Sequence, residues 1–178
     1  MGGVNFSSIY SDEVTTSSTP SEQFSFYFEY PLSRGKVQED YFVISSGIGY
    51  NNINLNITDS NNIESNSNLT YITLPVLYQI TALTLGEEHQ FRTNLKFGSS
   101  FNIFVTQSTN EVVENPNWLY LGAILGAKIE YALGSNLVLF VDYHIDIAIT
   151  DIQDNNDLDR ISTHFIYLGF KVPSSTIF

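Results

Sequence analysis

The chain has 178 residues, enough for one domain with a complete core, and its 7 lysines and arginines against 19 aspartates and glutamates leave a formal charge of −12. That balance argues against a phosphate backbone as partner, so nucleic acid is not expected. With no cysteine there can be no disulfide, thiolate metal site or cysteine nucleophile, and only serine, threonine and carboxylates remain for nucleophilic chemistry.

Thirteen phenylalanines and eleven tyrosines beside a single tryptophan favour strands. No run of about 18 apolar residues occurs, which excludes a transmembrane helix, and the opening MGGVNFSSIY lacks the basic and apolar regions of a signal peptide. Alternation with a period of two recurs along the chain, and no helix-length window shows a period of 3.6. The chain therefore reads as all β, one domain over residues 1–178, with eight strands at 3–10, 23–32, 41–57, 69–83, 89–107, 118–133, 136–149 and 162–172. Several exceed the usual five or six residues, which suits a closed barrel better than an ordinary globule.

Connection lengths alternate. SDEVTTSSTPSE, TDSNNIESNSN, STNEVVENPN and TDIQDNNDLDRI follow the first, third, fifth and seventh strands, whereas SRGKVQED, TLGEEH and GS are shorter. In an up-and-down barrel this puts all long loops at one end and all short turns, with both termini, at the other, as in outer-membrane barrels.

The faces carry the class. The fifth strand shows Phe91, Leu95, Phe97, Phe101, Ile103 and Val105 on one side, with Arg92, Asn94, Lys96, Ser100 and Asn102 on the other. In the sixth, Leu119 through Tyr131 alternate with Gly122, Gly126, Lys128 and Glu130; in the second, Phe24, Phe26, Phe28 and Tyr30 alternate with Ser25, Tyr27 and Glu29. A soluble barrel with its apolar face inside could alternate in the same way. Two features favour the inverted arrangement: apolar faces of about five to seven residues, on strands about 9 to 13 long, match the ~9–11 residues of a tilted bilayer crossing, and Gly98, Gly122 and Gly126 lie on the polar face, where a narrow interior needs small side chains. The expected fold is an eight-stranded antiparallel up-and-down transmembrane β-barrel.

GGVNFSSIY at the start, YITLPVLYQI in the fourth strand, LYLGAILGAKIEYAL in the sixth and the ending LVLFVDYHIDIAITDI…ISTHFIYLGFKV together resemble the PorT-like outer-membrane β-barrel family. The resemblance implies a barrel integral to the bacterial outer membrane, with long loops extracellular and termini periplasmic, and with some members serving secretion or other envelope assemblies. Family members usually end on an aromatic residue that closes the last strand. Here Val172 is followed by PSSTIF, and Pro173 cannot donate to the ladder, which puts Phe178 beyond the strand.

The run Asp142-x-His144-x-Asp146 looks like a metal or catalytic cluster, but its phase points it into the lumen with Glu29, Arg92, Lys96, Lys128, Glu130 and Lys171. Buried charges need partners, and an eight-stranded barrel is too narrow for an open pore. The reading is a structural network in which the acids find bases such as Arg92 or Lys96. Side chains at i, i+2 and i+4 of one strand stand about 6.6 Å apart per step, too far for all three to hold one ion unaided.

Ser162 and His164 in STHF share a face at the loop end of the last strand and are the pair a lipid-modifying barrel enzyme would need, without an orienting third group. Asp151, Asp154, Asp157 and Asp159 crowd one loop but lack the glycine and terminal glutamate of an EF-hand. The sequence thus predicts no catalytic residues, no metal and no cofactor. It points to outer-membrane lipid, with other outer-membrane or periplasmic proteins as partners, and to a structural or accessory role. The alternatives are a lipid-modifying enzyme, a small pore and a soluble ligand-binding barrel.

Overall fold

The computed structural model describes residues 1–10, 15–34, 40–58, 64–86, 90–108, 116–134, 136–150 and 160–172. Its strands are β1 (Gly2–Tyr10), β2 (Thr15–Ser18), β3 (Ser21–Arg34), β4 (Asp40–Thr58), β5 (Glu64–Leu85), β6 (Phe91–Ser108), β7 (Leu119–Ala132), β8 (Val138–Ala148) and β9 (Arg160–Lys171). All neighbours pair antiparallel. The ring runs β1, β3, β4, β5, β6, β7, β8, β9 and closes from β9 back onto β1, so eight strands make a closed up-and-down barrel.

The four-residue β2 is the addition. It falls inside the stretch read from sequence as the first long loop, and it pairs with β4 from Leu55 to Thr58, above the point where β3 leaves off. Thr19 and Pro20 interrupt what would otherwise be one strand, since proline cannot donate to a ladder. The second long loop is likewise shorter than expected: its residues 64–68 continue β5, and the β4–β5 ladder runs on to the Thr58–Glu64 pair.

Two of the short turns need a left-handed residue and have glycine there, Gly86 after β5 and Gly134 after β7, at φ of 90° and 89°. At the β1 seam the ladder to β3 spans four pairs, Gly2–Phe24 to Asn5–Ser21, and Met1 adds two backbone bonds to Ser25. From Phe26 onward β3 is laddered to β4 alone.

The outside of the wall is an apolar belt. Phe24, Phe26, Phe28 and Tyr30 on β3, Leu95, Phe97 and Phe101 on β6, Leu125 and Ile129 on β7 and Leu168 and Phe170 on β9 are all exposed, with Phe28 at 81%. Toward the long-loop end the pattern inverts. On β4 the outward residues change from Ile48 and Tyr50 to Asn52, Asn54 and Asn56, while Ile53 and Leu55 turn inward and are fully buried. With Leu69, Tyr71, Tyr120, Ala148, Ile161 and the flanking Phe104 they form an apolar plug inside the barrel. One ring of strands is thus apolar outside and polar inside along most of its length, and polar outside and apolar inside at its long-loop rim.

Candidate functional site

The most concentrated chemistry is in the lumen, on the inward positions of β3, β6, β7, β8 and β9. Lys128 on β7 binds Glu29 on β3 at 2.5 Å and Glu130, two residues along its own strand, at 2.7 Å. Lys171 on β9 joins them, at 2.7 Å from Glu29 and 3.4 Å from Glu130. Nearer the middle, Lys96 on β6 reaches both carboxylate oxygens of Asp142 on β8, at 2.6 and 2.5 Å, and stands 3.4 Å from His144 Nδ1. The His144 ring stacks 5.2 Å from Tyr167 and lies 4.8 Å from Phe165, both on β9.

The register explains these meetings. Across β6, β7 and β8 the Cα partners run Asn94, Lys128, Asp142 and then Lys96, Gly126, His144, so charges on alternate positions of neighbouring strands share one level. Gly126 is what lets His144 lie against the wall, because a Cβ there would collide with the Cβ of His144 and the backbone carbonyl of Tyr143. Gly122 does the same beneath Asp146 and Ser100.

Two residues named from sequence depart from the network. Arg92 is half-buried at the terminus end, opposite Glu130 in the β6–β7 register, and takes no ion-pair partner among the described residues. In the register Arg92 and Lys96 stand two residues to either side of the Asp142 level, and it is Lys96 that makes the contact. Asp146 was expected to find a base and does not: its Oδ2 accepts from the Ser100 hydroxyl at 2.6 Å and from Asn102 Nδ2 at 3.5 Å, while its Oδ1 takes no hydrogen bond. The three residues of the Asp-x-His-x-Asp run do all point inward, but only Asp142 and His144 come together, 3.4 Å apart around Lys96, while Asp146 has partners of its own, and no group of three metal-ligating side chains gathers among the described residues.

Sequence reasoning missed the neutral half of the lumen. Asn5, Ser21 and Asn51 form a buried cluster, with Asn5 Nδ2 donating to Asn51 Oδ1 at 2.6 Å and Ser21 Oγ to Asn5 Oδ1 at 2.6 Å, and both also donating to the backbone carbonyl of Asn52. The apolar plug was missed as well. Its signal was in the chain as a change of phase: Tyr50 and Ile53 are separated by three residues, and so cannot share a face.

Ser162 and His164 do not act on each other. His164 faces outward, and its Nδ1 pairs with the Tyr143 hydroxyl at 2.9 Å on the outside of the wall. The acidic loop residues Asp151, Asp154, Asp157 and Asp159, and the segment from Pro173 to Phe178, lie outside the described residues.

Fold and lumen together define a class: a closed eight-stranded up-and-down barrel with an apolar outer belt and an interior filled by ion pairs, amides and an apolar plug. No family model and no curated sequence matches the chain, so the likeness to PorT-like barrels rests on the sequence motifs alone. Among solved structures it is similar to the outer membrane protein OprG from Pseudomonas aeruginosa, at 12% identity and a TM-score of 0.53, over 96% of this chain and 90% of that one. At that identity the likeness shows the shared barrel fold.

Proposed function

We propose that the protein is an integral barrel of the bacterial outer membrane, closed to solute flow, that serves as a structural or accessory subunit of an envelope, secretion or transport assembly and has no catalytic activity of its own. The observation that carries this reading is the filled lumen: an ionic bridge joins opposite walls at one level, and an apolar plug closes the barrel above it. With the interior committed to packing, the surfaces left for function are the outer wall and the loops. The apolar belt supports lipid as the surroundings, because strands can cross a bilayer only where every edge is paired and outward side chains are apolar. The fold shared with an outer membrane protein and the PorT-like motifs point the same way. The polar rim with its long loops is the extracellular end in this reading, and the termini are periplasmic.

Mild solubilisation of membranes followed by affinity purification tests the accessory role. A constant set of co-purifying envelope proteins is expected, and a chain that always runs alone overturns the proposal. Planar-bilayer recordings are expected to show conductance near zero; steady single-channel steps would instead establish a pore. Partition into an aqueous phase without detergent would revive the soluble barrel. Lipid A altered by expression of the wild-type chain, and unaltered with His164→Ala, would establish the enzyme.

A further inference from the structure

Among the described residues, every lysine ammonium in the buried lumen is already bound. Lys96 is held by Asp142, and Lys128 and Lys171 by Glu29 and Glu130. Against these three stand four carboxylates, because Asp146 faces the same interior with only 4% of its surface exposed. Its neighbour His144 turns its Nδ1 to Lys96 and Asp142, 3.4 Å from each, and makes no hydrogen bond to Asp146. A carboxylate so placed is costly unless something positive meets it.

Asp146 also lines a cavity between the ionic network and the plug, together with Gln23, Asn51, Thr73, Tyr27 and Tyr167. The space is small, roughly enough for one water-sized body. Several of its oxygens have given their hydrogens elsewhere. The Thr73 hydroxyl donates to Asn102 Oδ1 at 2.7 Å, and the Tyr167 hydroxyl donates to Gln23 Oε1 at 3.0 Å while accepting from Ser25 Oγ at 3.4 Å, so only lone pairs are left to offer, chiefly those of Thr73. Lone pairs on neutral oxygens around one uncompensated carboxylate suit a hard cation.

We infer that the lumen holds one small monovalent cation, of sodium, potassium or ammonium size, at Asp146. A single positive charge matches the single unmatched carboxylate; a divalent ion would overcompensate it, and an organic cation is too large for the cavity. The site goes beyond the accessory role and does not depend on it, because it lies inside the barrel and away from any docking surface.

The test is thermal unfolding of the full chain refolded in a non-ionic detergent, at fixed pH and ionic strength, in chloride salts of sodium, potassium, ammonium, calcium and choline. At least one small monovalent cation should raise the unfolding midpoint above that in choline by about 5 °C or more at saturation. In Asp146→Asn that difference should vanish. Equal midpoints in all salts, a rise with calcium alone, or a difference that survives in Asp146→Asn overturns the site. Should Asp146→Asn fail to fold, equilibrium dialysis of the unaltered protein against radioactive sodium, with potassium and ammonium as competitors, decides it. One competable ion per barrel is expected, and none bound and none displaced overturns the proposal.

Discussion

Lys128 and Glu29 meet at 2.5 Å across the full width of the barrel, from strands that lie opposite each other in the closed ring. They are 99 residues apart in sequence. A contact of this kind ties two walls together and fills the channel at one level. Replacing Lys128 by methionine leaves Glu130 buried with only the 3.4 Å contact to Lys171. The expected cost is about 3–5 kcal/mol, because an orphaned buried charge is far worse than an absent pair. Urea unfolding followed through the fluorescence of the single tryptophan, Trp118, measures it. Glu130→Gln added to Lys128→Met should recover part of the loss.

The apolar plug should behave as a core in its own right. Leu55 is 1% exposed and packs with Ile53, Leu69 and Tyr71. Leu55→Ala should cost about 2–5 kcal/mol by the same urea assay. A cost below about 0.5 kcal/mol would show that the rim is not packed as described.

The reversal of phase along β4 has a direct spectroscopic consequence. Ile48 and Asn54 both point outward, but they stand on opposite sides of the change from apolar belt to polar rim. Because the chain has no cysteine, single cysteine variants can carry a spin label without background. In lipid vesicles a label at position 48 should be relaxed mainly by oxygen, and one at position 54 mainly by a water-soluble nickel complex. Lipid-like relaxation at both positions would place the rim inside the bilayer.

Much of this was legible in the chain, and the reason is the strand period of two. Wherever Leu119 to Tyr131 alternates with Gly122, Gly126, Lys128 and Glu130, the backbone itself assigns the faces, so the barrel class and the inward direction of Asp142, His144 and Asp146 could be read without coordinates. The alternation of long and short connections then ordered the two ends. What failed was whatever required knowing which strands meet across the lumen. Arg92 and Lys96 lie on one face of one strand and looked interchangeable as partners for Asp142; the register sets them two residues to either side of its level, and only the packing of side chains in the lumen gives Asp142 to Lys96.

The sequence by itself determined the all-β class, the eight barrel strands though not β2 or the start of β5, the polarity of the faces along the belt and the alternation of long and short connections, because all of these follow from local alternation and turn chemistry. Only the tertiary structure decided that Lys128 binds Glu29, that Asp146 is left without a base, and that Ile53, Leu55 and Tyr71 close the barrel from within. Closure and stagger bring residues together that are separated by up to most of the chain, and no local pattern encodes which of several inward charges will stand at the same height.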